Sequence, residues 1–348
     1  MTQNLFHGYI GTYTKGDSEG IYSFTLDTAA GKIGHVQTAA KLDNPTYLTI
    51  SSDNRYVYAV VKQGDEGGVS SYTLQDGTLT ALNTQTSAGS PPCHISTDKE
   101  NTTVVTANYH KGTIESYLVQ EDGSVSPAVS VMEHAGSGPD PRQEKPHAHY
   151  AGFTPDGQYV VAVDLGTDTV FSYRSYNGNL TEASRFSVKP GSGPRHIVFH
   201  PNGTYAYIMT EFGSTVIAVS YNPADGSFTE KQYVSTLPAD FTANNQGSAI
   251  HISADGRFVY AGNRGHDSIA VFSVNQDSGE LTFVEHVSTE GHWPRDFVLD
   301  PTEQFVIAAN QESSNLVLFA RDAETGKLRL LQSDVQVPDP VCVKFLHV

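Results

Sequence analysis

Apolar and polar residues alternate in short runs along this chain, as in TVIAVSY (215–221), SIAVFSV (268–274) and NLVLFAR (315–321). A two-residue period of that kind predicts β-strands. Each run follows a strand rich in Tyr, Val and Ala, which in turn follows a short opening strand and a turn, such as PDG, PNG or ADG in several copies. A DG or TG turn (ADGSFT, DSGELT, ETGKLR) and a fourth strand come after it. Strand, turn, strand, strand, turn, strand is one four-stranded antiparallel sheet.

That unit recurs about every 46 to 54 residues, the signature of a repeat architecture. Clear copies begin at Pro194 (PRHIVFHPNGTYAYIMTE), Gly247 (GSAIHISADGRFVYAGN) and Pro294 (PRDFVLDPTEQFVIAAN). Fainter copies start at Pro45, Pro92 and about Ala148. A last fragment, PVCVKFLHV from Pro340, supplies only a first strand, whereas the N-terminal LFHGYIGTYT, GIYSFTL and GKIGHVQTA supply a second, third and fourth. The two ends complement each other. An open solenoid or a pair of sandwiches has no use for complementary ends, so the chain is expected to form a single all-β domain over residues 1–348, a seven-bladed β-propeller closed by pairing of the C-terminal strand with the N-terminal strands.

Composition agrees with strands and tight turns: 31 Gly, 17 Pro, 18 Tyr and 16 Phe stand against 3 Met, so helices should be few. A formal net charge of −17 repels polyanions, which argues against nucleic acid and acidic membrane surfaces as partners. No apolar run is long enough for a membrane helix, and the opening MTQNLFHGYIGTYT lacks the basic-then-apolar pattern of a secretion signal, so a cytoplasmic location is expected. Cys93 and Cys342 are the only cysteines. They exclude a cysteine-built zinc site and read as core or channel-wall residues.

Positions that serve packing should look alike in every blade, so chemistry is sought where the copies differ in polarity. One such place follows the opening Pro: Thr46, Cys93, His149, Arg195, Ser248, Arg295 and Val341. A second ends the second strand: Tyr13, Lys62, Tyr109, Leu165, Glu211, Arg264 and Gln311. Antiparallel pairing puts both rings at one mouth of the central channel. His147, His149, Arg195, Glu211, Arg264 and Arg295 would then share a cavity able to bind an anion and to hold a base, since the guanidinium fork suits carboxylate and phosphate. The competing reading is that Arg195 and Arg264 only tie blades together through Asp164 or Glu211.

His147 and His149 in PHAHY also have a metal-binding spacing, but no third ligand stands at a characteristic distance, which favours acid/base or substrate contact. His94, His196 and His251 read as packing or channel-wall groups, and His266 as a loop contact to ligand. The insertion HAGSGPDPRQEKPHAHY from His134 is expected to flank the pocket, with Arg142 and Lys145 adding positive charge. No G-x-S-x-G elbow, phosphate-cradling Gly loop or dinucleotide fingerprint is present.

With YIGTYT near the start, PHAHYAGFTPDGQYVVAVDLGTD, GPRHIVFHPNGTYAYIMTE, GNRGHDSIAVF and WPRDFVLDP in that order, the chain resembles, from end to end, the lactonase family of seven-bladed propellers. That family holds both a 6-phosphogluconolactonase and a muconate cycloisomerase. In the cycloisomerase the proposed active site uses a His, two Arg and a Glu. The resemblance carries these onto His147 or His149, Arg195, Arg264 and Glu211.

The resemblance implies hydrolysis of 6-phospho-D-glucono-1,5-lactone to 6-phosphogluconate, the second step of the oxidative pentose phosphate pathway. Glu211 or a His of PHAHY would take the proton of the attacking water, and Arg195 would face the oxyanion. Arg264, with Arg295 or Lys62, would hold the phosphate; Tyr109 and His266 are further substrate contacts. No metal or other cofactor is needed. The partner is a small anionic lactone, and the expected state is a monomer or weak homo-oligomer. The alternatives are another lactone hydrolase or a cycloisomerase using the same pocket and, from a different class, a non-catalytic interaction platform. The platform would display apolar or aromatic rim patches rather than an Arg/His/Glu cluster.

Overall fold

A computed structural model describes residues 4–348 as seven four-stranded antiparallel sheets, with no helix among the described residues. In chain order, blade 1 spans 5–41, blade 2 48–88, blade 3 94–133, blade 4 148–187, blade 5 194–235, blade 6 246–288 and blade 7 294–336. The segment Pro340–Phe345 is the innermost strand of blade 1. It pairs antiparallel with Leu5–Thr12, Gly8 opposite Phe345 and Ile10 opposite Val343. The ring therefore closes as the complementary ends require, with no long sheet edge left open at the junction.

Burial follows from stacking blades face to face. The second strands of blades 3, 4 and 7, Thr103–Asn108, Tyr159–Asp164 and Phe305–Asn310, are buried at every position because a neighbouring blade covers each face. This is why they read as continuous apolar runs rather than alternations. The outermost strand of blade 4, Asn179–Ser187, alternates toward solvent. Seven apolar clusters result, each lying between two adjacent blades.

Two polar devices repeat beside that packing. Tyr9, Tyr207 and Tyr260 donate through their hydroxyls to the carbonyls of Gly77, Gly279 and Gly326, each in the outer hairpin of the next blade, over 2.8–3.1 Å. Gly326 has φ 72° and lies so close to the Phe258 ring that a Cβ would collide with it. Asn108, Asn263 and Asn310, at the end of the second strand, donate at 2.7–2.8 Å to Ser90, Thr236 and Thr289 in the connection entering their own blade. The recurring Asn just before the variable position is thus a clamp on the interblade connection.

A third recurrence controls the site. The innermost strands lose register with their partners between Ala148 and Tyr150, Pro194 and His196, Gly247 and Ile250, and Pro294 and Asp296. The blade 1 strand shifts likewise at Val341. The skipped residues include His149, Arg195, Ser248, Arg295 and Val341, members of the first variable ring. A β-bulge frees its extra residue from the ladder and re-aims its side chain. The variable position is thereby the bulged one.

Candidate active site

Both variable rings meet in one cavity of about 720 Å³. Thr46, Cys93, His149 and Arg295 line it from the first ring, and Tyr13, Lys62, Tyr109, Glu211 and Arg264 from the second. Gln246, His110 and Trp293 complete much of the wall, and sequence reasoning did not select any of these three. Trp293 had a visible signal, being the only Trp in the chain and next to the variable ring, with Arg264 centred 5.5 Å from its indole.

Glu211 follows the second strand of blade 5 and is 9% exposed. Its Oε2 accepts a 2.7 Å hydrogen bond from Arg264 Nη2 of blade 6 and lies 3.1 Å from Arg195 Nε. The second approach is an ion pair without hydrogen-bond alignment, so both Nε and Nη1 of Arg195 remain unpartnered although Arg195 is 2% exposed. Burial alone would raise the Glu211 pKa, but the charges of Arg264 and Arg195 outweigh it and hold the carboxyl below its usual range. Burial, reinforced by Arg264, pushes Arg195 down to about 9.

Arg264 is nearly saturated: beyond Glu211 it donates to the carbonyls of Gly247 at 2.8 Å and Gln246 at 3.4 Å. Arg295 differs. It makes a 3.4 Å contact to Gln311 Oε1, sits over the Tyr13 ring, and has no carboxylate partner among the described residues. Lys62, exposed at the rim, likewise forms no ion pair. Both expected meanings of the arginines are therefore present at once. Glu211 joins blades 5 and 6 through Arg264, while Arg195 is absent from the cavity wall and keeps unpartnered donors at a small adjoining chamber that His149 also lines; Asp164 pairs with His134 instead.

The two histidines of PHAHY separate. His149 lines the cavity, is buried, and has an unpartnered Nδ1. Burial first, then Arg195 and Arg295, push its pKa well below the ordinary imidazole value, so it is neutral. His147 is absent from the cavity wall. Its Nδ1 lies 2.9 Å from the Tyr109 carbonyl, its Nε2 3.2 Å from the Glu144 carboxylate, and its ring stacks on Tyr109 at 4.2 Å. It supports a wall residue. Tyr109 itself stays a phenol, its pKa raised to about 12 by burial and then by Glu211.

His266 also lies off the cavity wall, with Nδ1 2.6 Å from Ser268 Oγ and its ring against Phe241 and His286. The insertion after His134 flanks the site and its charges reach the wall from behind, Arg142 acting on Tyr109 and Lys145 on His110, although neither cation lines the cavity. Arg142 pairs with Asp140 and lies 3.7 Å over the Phe212 ring, and Lys145 donates to the His110 carbonyl. Beneath His149 the channel is filled by rings: His149 to His196 is 5.2 Å, His196 to His94 5.3 Å, and His94 to Tyr47 and Tyr150 4.3 and 4.4 Å. Among the described residues no group of three or more His, Cys, Asp or Glu is placed to hold a metal ion.

A neutral imidazole beside free guanidinium donors, in a cavity with two unpaired cations, can activate water and receive an anion. Comparison with known proteins gives this arrangement a family. Residues 7–345 match the model of the lactonase family with a seven-bladed β-propeller. The chain is 59% identical to the 6-phosphogluconolactonase of Bacillus subtilis over 98% of both chains. A solved structure from Lactobacillus plantarum superposes with a TM-score of 0.96 at 43% identity, covering 99% of this chain and all of that one. The periplasmic gluconolactonase of Pseudomonas aeruginosa superposes with 0.93 at 35% identity, covering 99% of each. With its own cavity built from both variable rings of the propeller, this chain belongs to the lactonase family of seven-bladed β-propellers.

Proposed function

We propose that the protein hydrolyses 6-phospho-D-glucono-1,5-lactone to 6-phosphogluconate. The observation that carries this reading is neutral His149 on the wall of a cavity that also holds two unpaired cations, Arg295 and Lys62, with the unpartnered N–H groups of Arg195 in the small chamber that His149 also lines, in a chain so similar to a 6-phosphogluconolactonase.

Water attacks the ring carbonyl. Neutral His149 accepts the proton of that water as the new C–O bond forms, and Arg195 faces the negative charge that develops on the carbonyl oxygen. Collapse of the tetrahedral intermediate breaks the ring C–O bond. The alkoxide takes the proton back from His149, leaving a hydroxyl and a carboxylic acid that ionises to the product carboxylate. Glu211, held as a carboxylate by two guanidinium groups, fits positioning of Arg195 and Arg264 better than proton abstraction. Since Arg264 is engaged by Glu211 and two carbonyls, phosphate binding falls to Arg295 and Lys62. The lactone is already reactive, so positioning and one general base suffice without a covalent nucleophile or a metal.

The reaction belongs after the oxidation that forms the lactone in the oxidative pentose phosphate pathway. A cytoplasmic site for it fits the two free thiols, Cys93 and Cys342.

The test is hydrolysis above the spontaneous rate by purified protein with chelator present. Chelator-resistant activity is expected that falls about a hundredfold in Arg195→Ala, the scale for loss of an oxyanion donor, and falls in Glu211→Gln as well because Arg195 loses the group that positions it. A wild-type rate equal to background sinks the assignment, and turnover of muconate lactones instead would favour the cycloisomerase reading.

A further inference from the structure

Beneath the large cavity lies a second, far smaller chamber of about 10 Å³, which shares Thr46, Cys93, His149 and Arg295 with the cavity wall. That volume admits about one water-sized species. Its remaining wall is Tyr47, Arg195, His196 and Val341, and no carboxylate lines it.

Buried polar groups are ordinarily satisfied, so several orphans around one small space call for an occupant. Arg195 Nη1, His149 Nδ1 and His196 Nε2 are all buried without a hydrogen-bond partner, while Arg195 Nε lies against Glu211 at 3.1 Å. Arg195 is 2%, His149 5% and His196 6% exposed. Arginine nitrogens only donate, and each neutral imidazole can place its proton on the nitrogen facing the chamber. The wall thus offers donors on several sides, two positive charges, and no obligatory acceptor. Water placed here would find donors in excess and need acceptors for its own two protons; a halide needs only donors.

We propose that this chamber is a monatomic-anion site, filled by a halide in the resting protein and vacated when the carbonyl oxygen of the substrate enters. Only the second half rests on the lactonase reading. A halide accepting from His149 Nδ1–H fixes the tautomer in which Nε2 carries the ring's lone pair. The chamber therefore presets the base while it holds the place of the oxyanion.

Crystals of the full chain soaked in sodium bromide, with anomalous data at the bromine edge, give the direct test. A peak bounded by Arg195, His149 and His196 is expected. Density without anomalous signal in the chamber would mean water and overturn the site, as would bromide on exposed lysines alone, an adventitious ion only. His196→Phe should lower the bromide occupancy, and undiminished occupancy would count against the site; the wild-type soak stands whether or not the variant folds.

For the displacement, hydrolysis is followed with sodium bromide against a bulky sulfonate at constant ionic strength. KM should rise about threefold when halide is at twice its Kd, with kcat unchanged. A KM indifferent to halide overturns the displacement. A bromide peak with no hydrolysis above background leaves the site standing and removes the lactonase reading instead.

Discussion

Arg264 Nη2 donates a 2.7 Å hydrogen bond to Glu211 Oε2 across the seam between blades 6 and 5. The two residues come from equivalent positions of successive repeats, so a carboxylate–guanidinium hydrogen bond of the site is also a contact between blades. Geometry at the reacting centre is in this way tied to the packing of one interblade seam.

Glu211→Gln should therefore damage both properties. Removing one partner of a buried pair leaves Arg195 and Arg264 facing each other and should cost about 3–5 kcal/mol, read as a lower urea midpoint with unchanged slope. A variant as stable as wild type would show that water already screens the cluster.

His149 and His147 should separate kinetically. His149→Asn should lower kcat by about 10²–10⁴-fold, the range for loss of a general base. His147→Asn, which loosens the Tyr109 wall, should raise KM more than it lowers kcat. The reverse ranking would move the base to His147.

Lys62→Ala should separate phosphorylated from plain lactone. Loss of an exposed cation facing phosphate should raise KM for 6-phosphogluconolactone while leaving kinetics on glucono-1,5-lactone unchanged, with Arg295→Met showing the larger effect because its charge is less solvated. Equal effects on both substrates would place these cations at the carbonyl end.

Stability should fall as the medium becomes mildly acidic. Burial first, with Arg195 adding to it, pushes the pKa of His94, His149 and His196 well below the ordinary value, and Lys344 acts on His94 as well. A base whose folded pKa is depressed contributes its full stability above the unfolded value near 6.5, and that contribution is lost as pH falls below it, because the unfolded chain takes up protons that the folded one refuses. Three such groups give a slope approaching about 4 kcal/mol per pH unit. Chemical denaturation between pH 7 and 5 checks this, and a flat profile would mean that the channel opens to protons without unfolding.

The repeat makes the blades, the ring closure and the variable positions legible in the sequence, because packing demands similarity and function shows as departure from it. The same logic misjudged His147. On a regular strand residues two apart face the same way, but the bulge at His149 breaks that period, and a bulge leaves no mark in a single sequence. His266 misled for a related reason: it stands beside Arg264, yet the strand ends there and the chain turns away toward Phe241. Gln246 and the ring-filled lower channel of Tyr47, His94, Tyr150 and His196 depend on how seven strands converge, which no one repeat encodes.

The bulges have one more implication, for how such a molecule can change over time. A residue that belongs to no ladder pair carries none of the backbone pairing of its sheet, so replacing it leaves that pairing intact and costs only its side-chain contacts, such as the 2.8 Å hydrogen bond from Ser248 to the Pro294 carbonyl. Blades 1, 4, 5, 6 and 7 each carry such an exempt residue on the innermost strand, and they hold Val341, His149, Arg195, Ser248 and Arg295. The frame can stay fixed while these sockets are refilled one at a time. New chemistry at the axis then becomes accessible through single substitutions that leave the strand pairing alone, at the cost of whatever side-chain partner the old residue held.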